Sequence, residues 1–490
     1  MDGMTRRREG WERSPCRVLP RAWALLLAGC ASAAIAVAWA CTAIAADPPR
    51  PNVLVIITDD HGHGDVSCYG ATDTRTPHID GLAAEGMLFT TMRANATVCS
   101  PSRAALLTGR HPDRVGVPGV IRTEPAASWG HFAPGVPTLA DELRAAGYHT
   151  AIVGKWHLGL EPPNTPNERG FDLFEGFLGD MMDSYTTHLR GGLNFLRRNR
   201  DAVEPEGHAT EIFSDWAVGQ LRERARSPER PFFLYLAYNA PHFPMEPPAA
   251  WLDKVRQRLP EIDERRAKAV AMVEHLDDCI GRVLAALRET GLDRTTLVAF
   301  TADNGGSLPH GQSNRPWRDG KTSHYDGGLR VPFIVRWPGR VPPGSRCGYA
   351  GQAFDLFPTC LELAGRPRAD DLDAVSLVPL LRGETLPAER DLYFTRREGG
   401  RGHDGKSYEC LIRGRWKLMQ NDPYRPLELY DLEADPQETA DLAAARAPLV
   451  RELAAALQRH VQRGGAVPWQ PSPTSAHPVR PPDVSRPSAP

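Results

Sequence analysis

Two short acidic clusters in this chain have the residue types and the setting to hold a metal ion. Asp59-Asp60 directly follows the run Asn52-Val53-Leu54-Val55-Ile56-Ile57-Thr58, and Asp303-Asn304-Gly305-Gly306 directly follows residues 296–301. Both runs read as strands. In open α/β sheets ligands bind beyond the carboxyl ends of the strands, where several loops converge. Three carboxylates and one amide carbonyl form an all-oxygen set, which suits Ca²⁺ or Mg²⁺; zinc would call for His or Cys. Taken singly, each pair could equally be a solvated turn or a helix cap. Their joint occurrence, on either side of Cys99-Ser100-Pro101-Ser102-Arg103, favours the ligand reading.

Other chemistry is excluded by composition. The formal net charge of −2 argues against nucleic acid as the main partner. Cys16, Cys30 and Cys41 lie in the first 46 residues, and Cys68, Cys99, Cys279, Cys347, Cys360 and Cys410 are well separated, with no C-x-x-C spacing. No zinc or redox motif is present, although one or two disulfides stay open.

The N-terminus reads as an export signal. Arg6, Arg7, Arg8, Arg13, Arg17 and Arg21 precede an apolar stretch from Ala22 to about Ala46, and Ala43-Ile44-Ala45 offers a small-x-small cleavage site. The same stretch is long enough to span a bilayer uncleaved, and Leu27-Ala28-Gly29-Cys30 is similar to a bacterial lipoprotein box. The chain is therefore expected to be exported, periplasmic or extracellular, with release or anchoring left open.

The elements that must position the acidic clusters alternate between strand and helix. Residues 52–58 form a continuous apolar, β-branched run, as a strand buried on both faces requires. Residues 137–146 read as a helix, 148–153 and 232–237 as strands, 264–290 as a long amphipathic helix and 296–301 as a strand. This order predicts an α/β fold with a mostly parallel central sheet flanked by helices. Beyond about Leu386 the texture changes to short strand-like pieces at 391–395, 409–413, 416–420 and 428–431, then a helix over 447–463. The expected division is a leader over 1–46, a catalytic domain over 47–385, a small C-terminal subdomain over 386–463 and a Pro- and Ser-rich disordered tail over 464–490.

Cys99-Ser100-Pro101-Ser102-Arg103, followed by Ala104-Ala105-Leu106-Leu107-Thr108-Gly109, resembles the signature of the sulfatase family. Gly147-Tyr148-His149-Thr150-Ala151-Ile152-Val153-Gly154-Lys155-Trp156-His157 is similar to the family's second signature. Pro241-His242-Phe243-Pro244, Gly320-Lys321 with Asp326-Gly327-Gly328, Arg415-Trp416-Lys417-Leu418 and Leu429-Tyr430-Asp431-Leu432 follow in the family's order, so the resemblance spans about Pro51 to Leu442. It implies the alkaline-phosphatase-like fold, with a small C-terminal sheet and helix. It also implies hydrolysis of sulfate monoesters, on an exported route most readily those of a sulfated carbohydrate or other sulfated small molecule. Two departures stand out: Asp326 replaces the family's usual Glu, and Thr97 replaces a smaller residue.

The resemblance further implies that Cys99 is converted to formylglycine by a formylglycine-generating or sulfatase-maturing enzyme. Asp59, Asp60, Asp303 and Asn304 would hold a divalent cation, Ca²⁺ ahead of Mg²⁺, with modified Cys99 completing its shell. Lys155 and Lys321 would bind sulfate oxygens, and Arg103, one helical turn past Cys99, would orient the aldehyde hydrate. His242 would protonate the leaving alcohol, assisted by Lys321, and His157 would help expel sulfate. Related enzymes of the fold cleave phosphonate monoesters or phosphodiesters, and an unmodified Cys99 would leave a glycan-binding protein without turnover. Asp180, Asp183, Ser184, His310, Trp317 and His324 lie on loops expected near the mouth. The Asn95-Ala96-Thr97 sequon is expected to carry no glycan, since it adjoins Cys99.

Overall fold

Asn52–Thr58 is buried along its whole length and forms the centre of a ten-stranded sheet. The computed structural model describes residues 50–470, apart from 368, 388–389, 399–406 and 423. The expected leader and the tail beyond 470 lie outside the described residues. Across the sheet the order is Ser345–Cys347, Met87–Phe89, Phe333–Arg336, Thr296–Ala302, Asn52–Thr58, Phe232–Ala237, His149–Lys155, Leu173–Phe177, Leu196–Arg198 and Asp201–Ala202. The five strands from Thr296–Ala302 to Leu173–Phe177 are all parallel. The flanks add antiparallel pairs, at Phe333–Arg336 on one side and Leu196–Arg198 on the other. The sheet is thus parallel through its centre and mixed at its flanks, where Ser345–Cys347 again runs parallel to Met87–Phe89.

Register places the chemistry. Thr58 pairs with Ala302, Ile57 with Ala237, and Gly154 with Ala237. The carboxyl ends of these strands are level, and Asp59, Asp303 and Lys155 leave the sheet at one edge. Gly154 is required there: a Cβ on it would lie 1.9 Å from the Ala237 carbonyl oxygen, and its φ is +104°.

Some of the helices start at a side-chain cap. Thr138 Oγ1 accepts the Asp141 N–H at 3.1 Å at the head of Leu139–Ala145, while Asp141 Oδ2 takes the Thr138 N–H at 3.0 Å. Asp263 accepts the N–H groups of Arg265 and Arg266 before Glu264–Glu289. Among the described residues no helix is long and apolar enough to cross a membrane.

The C-terminal region forms a four-stranded antiparallel sheet of Asp391–Arg397, Ser407–Arg413, Trp416–Gln420 and Glu428–Asp431. Leu453, Ala456 and Leu457 of the Ala447–Gly464 helix cover its Tyr393, Leu411, Leu418 and Leu429. A buried ionic cluster ties this sheet to the large one. Asp326 accepts Arg93 Nε at 3.0 Å and Nη2 at 2.7 Å, Arg330 Nε at 2.7 Å and Lys417 Nζ at 2.9 Å. Glu438 pairs with Lys417 at 2.7 Å and accepts the Asp326 N–H at 2.7 Å. Of the two departures from the family pattern, Asp326 organises this cluster, and nothing in the structure explains Thr97, which is buried with its Oγ1 making no hydrogen bond.

Candidate active site

Cys99 is the first residue of a ten-residue helix, Cys99–Thr108, in which every residue is buried. Asn95 latches its start, donating through Nδ2 to the Ser102 carbonyl at 2.9 Å and accepting the Phe354 N–H at 2.8 Å. With its amide so used and fully sealed from solvent, Asn95 offers no acceptor for a glycan in the folded chain. The i, i+4 spacing puts Cys99 and Arg103 on one helix face, over the level strand ends.

The groups brought together there are fully buried or nearly so. The Cys99 thiol donates to Asp59 Oδ1 at 3.3 Å, and Lys155 Nζ donates to Asp59 Oδ2. Lys321 Nζ donates to Asp60 Oδ2 at 2.7 Å and lies 3.8 Å from Cys99 Sγ. Arg103 Nε donates to Asp303 Oδ2 at 3.0 Å, and its Nη1 to the Lys155 carbonyl at 3.2 Å. Asp303 Oδ1 accepts the Asp60 N–H at 3.1 Å, and Asn304 Nδ2 donates to Asp60 Oδ1 at 2.8 Å. Asp60 and His157 hold φ near +60°, a strained backbone for side chains of their size.

Burial and neighbouring charge set the protonation states. Burial works to raise the Asp59 pKa, but Lys155, followed by His242, Arg103 and Lys321, holds it well below the usual carboxylate range. Burial, then the charge of Asp59, pushes the Cys99 thiol well up, so it stays protonated. Burial lowers His242 to about 4 and, with Lys155 and Arg103, lowers His157 well below its ordinary value. Both rings are therefore neutral, and their tautomers follow from the carbonyls beside them, which can only accept. His242 Nδ1 donates to the Phe243 carbonyl at 2.6 Å and turns Nε2 toward Asp60 Oδ2, 3.5 Å away. His157 Nε2 donates to the Ile121 carbonyl at 2.7 Å, leaving Nδ1 buried and without a hydrogen bond.

The donor set fits a hard cation. Ligand atoms of Asp59, Asp60, Cys99 and His242 lie within 4.8 Å of one another. Asn304 Oδ1 is buried with no hydrogen-bond partner, a costly state for a carbonyl oxygen unless a cation takes it. Asp303 is the most committed of the expected ligands, since Arg103 and the Asp60 N–H already use both its oxygens.

A cavity of about 180 Å³ opens onto Cys99, His157, His242 and Lys321. Lys155 and Arg103 do not line it; they stand behind Asp59 and Asp303, so the geometry has them acting on those carboxylates. Of the expected mouth residues, Asp180 lines the cavity, and Arg190 braces it, donating through Nε to Asp180 at 3.0 Å and through Nη1 to Asp183 at 2.9 Å. His310 stacks on Phe243, which stacks on His242. Ser184, Trp317 and His324 do not line it; Trp317 packs between His63 and Arg330, and His324 is buried. Sequence reasoning missed Arg122, Arg396 and Glu398, where one buried carboxylate takes Arg122 Nη2 at 2.7 Å and Arg396 Nε at 2.9 Å. A larger cavity of about 540 Å³ between Arg75 and Trp251 contains none of these groups.

Comparison with known proteins bears on the whole of this arrangement. Residues 51–366 match the sulfatase family, and residues 314–464 match the C-terminal region of N-sulphoglucosamine sulphohydrolase. N-acetylgalactosamine-6-sulfatase of Canis lupus familiaris is 34% identical over 371 residues, covering 71% of this chain and 69% of that protein. Arylsulfatase A of Homo sapiens is 32% identical over 478 residues, covering 86% and 90%. The crystal structure of Ps i-CgsB in complex with k-i-k-neocarrahexaose superposes with a TM-score of 0.79 at 30% identity, covering 87% of this chain and 96% of that one. Both the strand ends that carry the acidic clusters and the helix that carries Cys99 lie inside the matched region, and the chain belongs to the sulfatase family, as a sulfuric ester hydrolase.

Proposed function

We propose that this chain is exported and removes sulfate from a sulfated carbohydrate, using formylglycine made from Cys99 and a divalent cation, Ca²⁺ ahead of Mg²⁺, held by Asp59, Asp60, Asp303 and Asn304. The observation that carries this reading is the state of Cys99. A buried thiol kept protonated beside Asp59 is a poor nucleophile, yet it stands among carboxylates, an orphaned carbonyl and ammonium groups. Those are surroundings for an oxygen nucleophile. When present, the aldehyde hydrate supplies that oxygen, and the cation supplies the charge that favours its ionised form.

The chain's own residues supply the rest. Asp59, Asp60 and Asp303 are matched by Arg103, Lys155 and Lys321, so the protein part of the site is close to neutral. A divalent ion would leave it positive where a sulfate monoester binds. Lys321 opens to the cavity with 16% of its side chain exposed, while Lys155 is sealed behind Asp59, so Lys321 is the ammonium that meets a sulfate oxygen. Lys321 carries its protons at rest, its ammonium held by Asp60, and His242 Nε2 is the lone pair through which a proton can pass to the leaving oxygen. His157 Nδ1 is a base with no competing hydrogen bond, suited to taking the proton that releases sulfate.

Arg122, Arg190 and Arg396 reach the mouth paired with Glu398, Asp180 and Asp183, a polar lining that suits a hydroxyl-rich saccharide. Relatives named N-acetylgalactosamine-6-sulfatase, and a structural relative in complex with k-i-k-neocarrahexaose, support a carbohydrate substrate. The basic and apolar leader supports export.

The deciding experiment is the mass of the tryptic peptide spanning residues 94–103 from the native source, combined with turnover of 4-nitrophenyl sulfate and an aryl phosphodiester. The reading expects a mass lowered by exchange of thiol for aldehyde, and sulfate turned over faster. An intact thiol in active protein, or preference for the phosphodiester, overturns it.

A further inference from the structure

Trp129 and Trp469 stack face to face, with ring centroids 4.7 Å apart and planes 15° from parallel, next to the loop whose Val120 and Arg122 line the active-site cavity. Trp129 belongs to the loop that forms one wall of that cavity. Its N–H donates to the carbonyl of Val120 at 2.9 Å, and Val120 and Arg122 both line the cavity. Ser128 braces the same loop, with Oγ accepting the Arg122 N–H at 2.8 Å. Gly119 fixes the distance to the opposite wall, because a Cβ there would lie 2.8 Å from Trp129 Cβ and 2.9 Å from Glu398 Cγ.

Trp469 comes from far along the chain. It follows the Ala447–Gly464 helix and lies beyond the residues that match the family, which end at 464. The segment packs back near this loop, with the Pro468 carbonyl against Gly116. Both indoles are half-buried. Two adjoining half-buried indoles form a contiguous apolar patch next to the active-site loop, and such patches mark contact sites. Indole presents a broad, rigid apolar face with a polar N–H edge, and the C–H face of a pyranose ring is its natural complement.

We propose that Trp129 and Trp469 form a sugar-stacking subsite that holds the saccharide unit next to the sulfated one, so that the enzyme acts on oligosaccharides in preference to single sulfated sugars. This rests on the carbohydrate reading above and extends it: the C-terminal segment supplies one wall of the substrate site.

The test uses the full, matured chain and the variants Trp129→Ala, Trp469→Ala and Trp469→Phe. Substrates are carrageenan and chondroitin 6-sulfate oligosaccharides, the matching sulfated monosaccharides, and 4-nitrophenyl sulfate. The expected result is an oligosaccharide-to-aryl-sulfate ratio of kcat/KM lowered about tenfold by either alanine variant, the size of one lost stacking contact, with the change carried in KM. Trp469→Phe should restore most of it, and oligosaccharide should quench tryptophan fluorescence in wild type more than in Trp469→Phe. A ratio that does not move in the variants, while wild type cleaves an oligosaccharide, overturns the subsite alone. Aryl sulfate turned over with neither cleavage nor quenching by any saccharide overturns the carbohydrate reading, and the subsite with it.

Discussion

Arg103 Nη2 lies 2.8 Å from Asp303 Oδ2, and neither side chain has any exposure to solvent. The guanidinium that sequence reasoning aimed at the nucleophile is spent on a candidate metal ligand and on the carbonyl of Lys155. Its removal should strand a buried carboxylate. Arg103→Met is expected to lose about 3–5 kcal/mol of stability and all sulfatase activity. Arg103→Lys keeps the charge but cannot fork between two acceptors, so it should fold and still lose at least about 100-fold in kcat. Urea melts and sulfate release measure both; near-wild-type turnover in Arg103→Lys would show that the fork is dispensable.

Asp59, Asp60 and Asp303 converge with the orphaned Asn304 carbonyl oxygen. Chelation should abolish aryl sulfate hydrolysis and lower Tm, and Ca²⁺ at about 100 times its Kd should restore about 2.7 kcal/mol. In Asn304→Leu the stabilisation by Ca²⁺ should shrink, because one oxygen ligand is gone. A Tm indifferent to both chelator and Ca²⁺ would remove the cation from this site.

Asp326 faces three buried cations, Arg93, Arg330 and Lys417, and starts the short helix that follows the Lys321 loop. Asp326→Asn should cost about 3–5 kcal/mol through uncompensated buried charge. Because Gly327 N–H donates to the Arg318 carbonyl at 2.8 Å, the loop carrying Lys321 should loosen too, lowering kcat in the protein that still folds. Chemical denaturation with parallel kinetics checks both effects, and a stable Asp326→Asn would contradict the cluster's role.

Much of this was legible before any coordinates. Asn52–Thr58 announces itself because a central parallel strand must be apolar on both faces, and the acidic pair that follows it can only sit at the strand's end. The short strands Met87–Phe89 and Ser345–Cys347 were not legible, since three residues carry no period to read. Lys155 reads in the sequence as either a solvated strand end or a sulfate ligand. It is buried because Asp59 arrives from a strand two places away. Arg122 and Glu398 meet across 276 residues, and nothing local marks either of them. Trp317 and His324 sit on the expected loops but turn into protein, a choice made by packing rather than by sequence.

His111 gives a pH dependence of known sign. It is buried between Phe354, Tyr393 and His460, with Asp373 at 3.9 Å, and Arg114 and Arg390 nearby. Burial above all lowers its pKa from 6.5 to about 3. The unfolded chain takes up a proton that the folded one refuses, so this stability is whole above pH 6.5 and is lost as pH falls toward 3. His111→Gln should flatten the fall in urea midpoint between pH 7 and pH 5. An unchanged slope would place the acid sensitivity in other groups.

The Cys99–Thr108 helix has no residue open to solvent, and Cys99 itself is 4% exposed. The conversion proposed for Cys99 therefore has a deadline. An oxidising enzyme must reach the thiol while this segment is still an extended chain, for once the helix docks onto the strand ends the sulfur is out of reach. Maturation and folding are then competing clocks. Every chain that folds first is lost to catalysis although its fold is intact, so the yield of active enzyme in any host should follow the supply of the maturing enzyme rather than the amount of soluble protein.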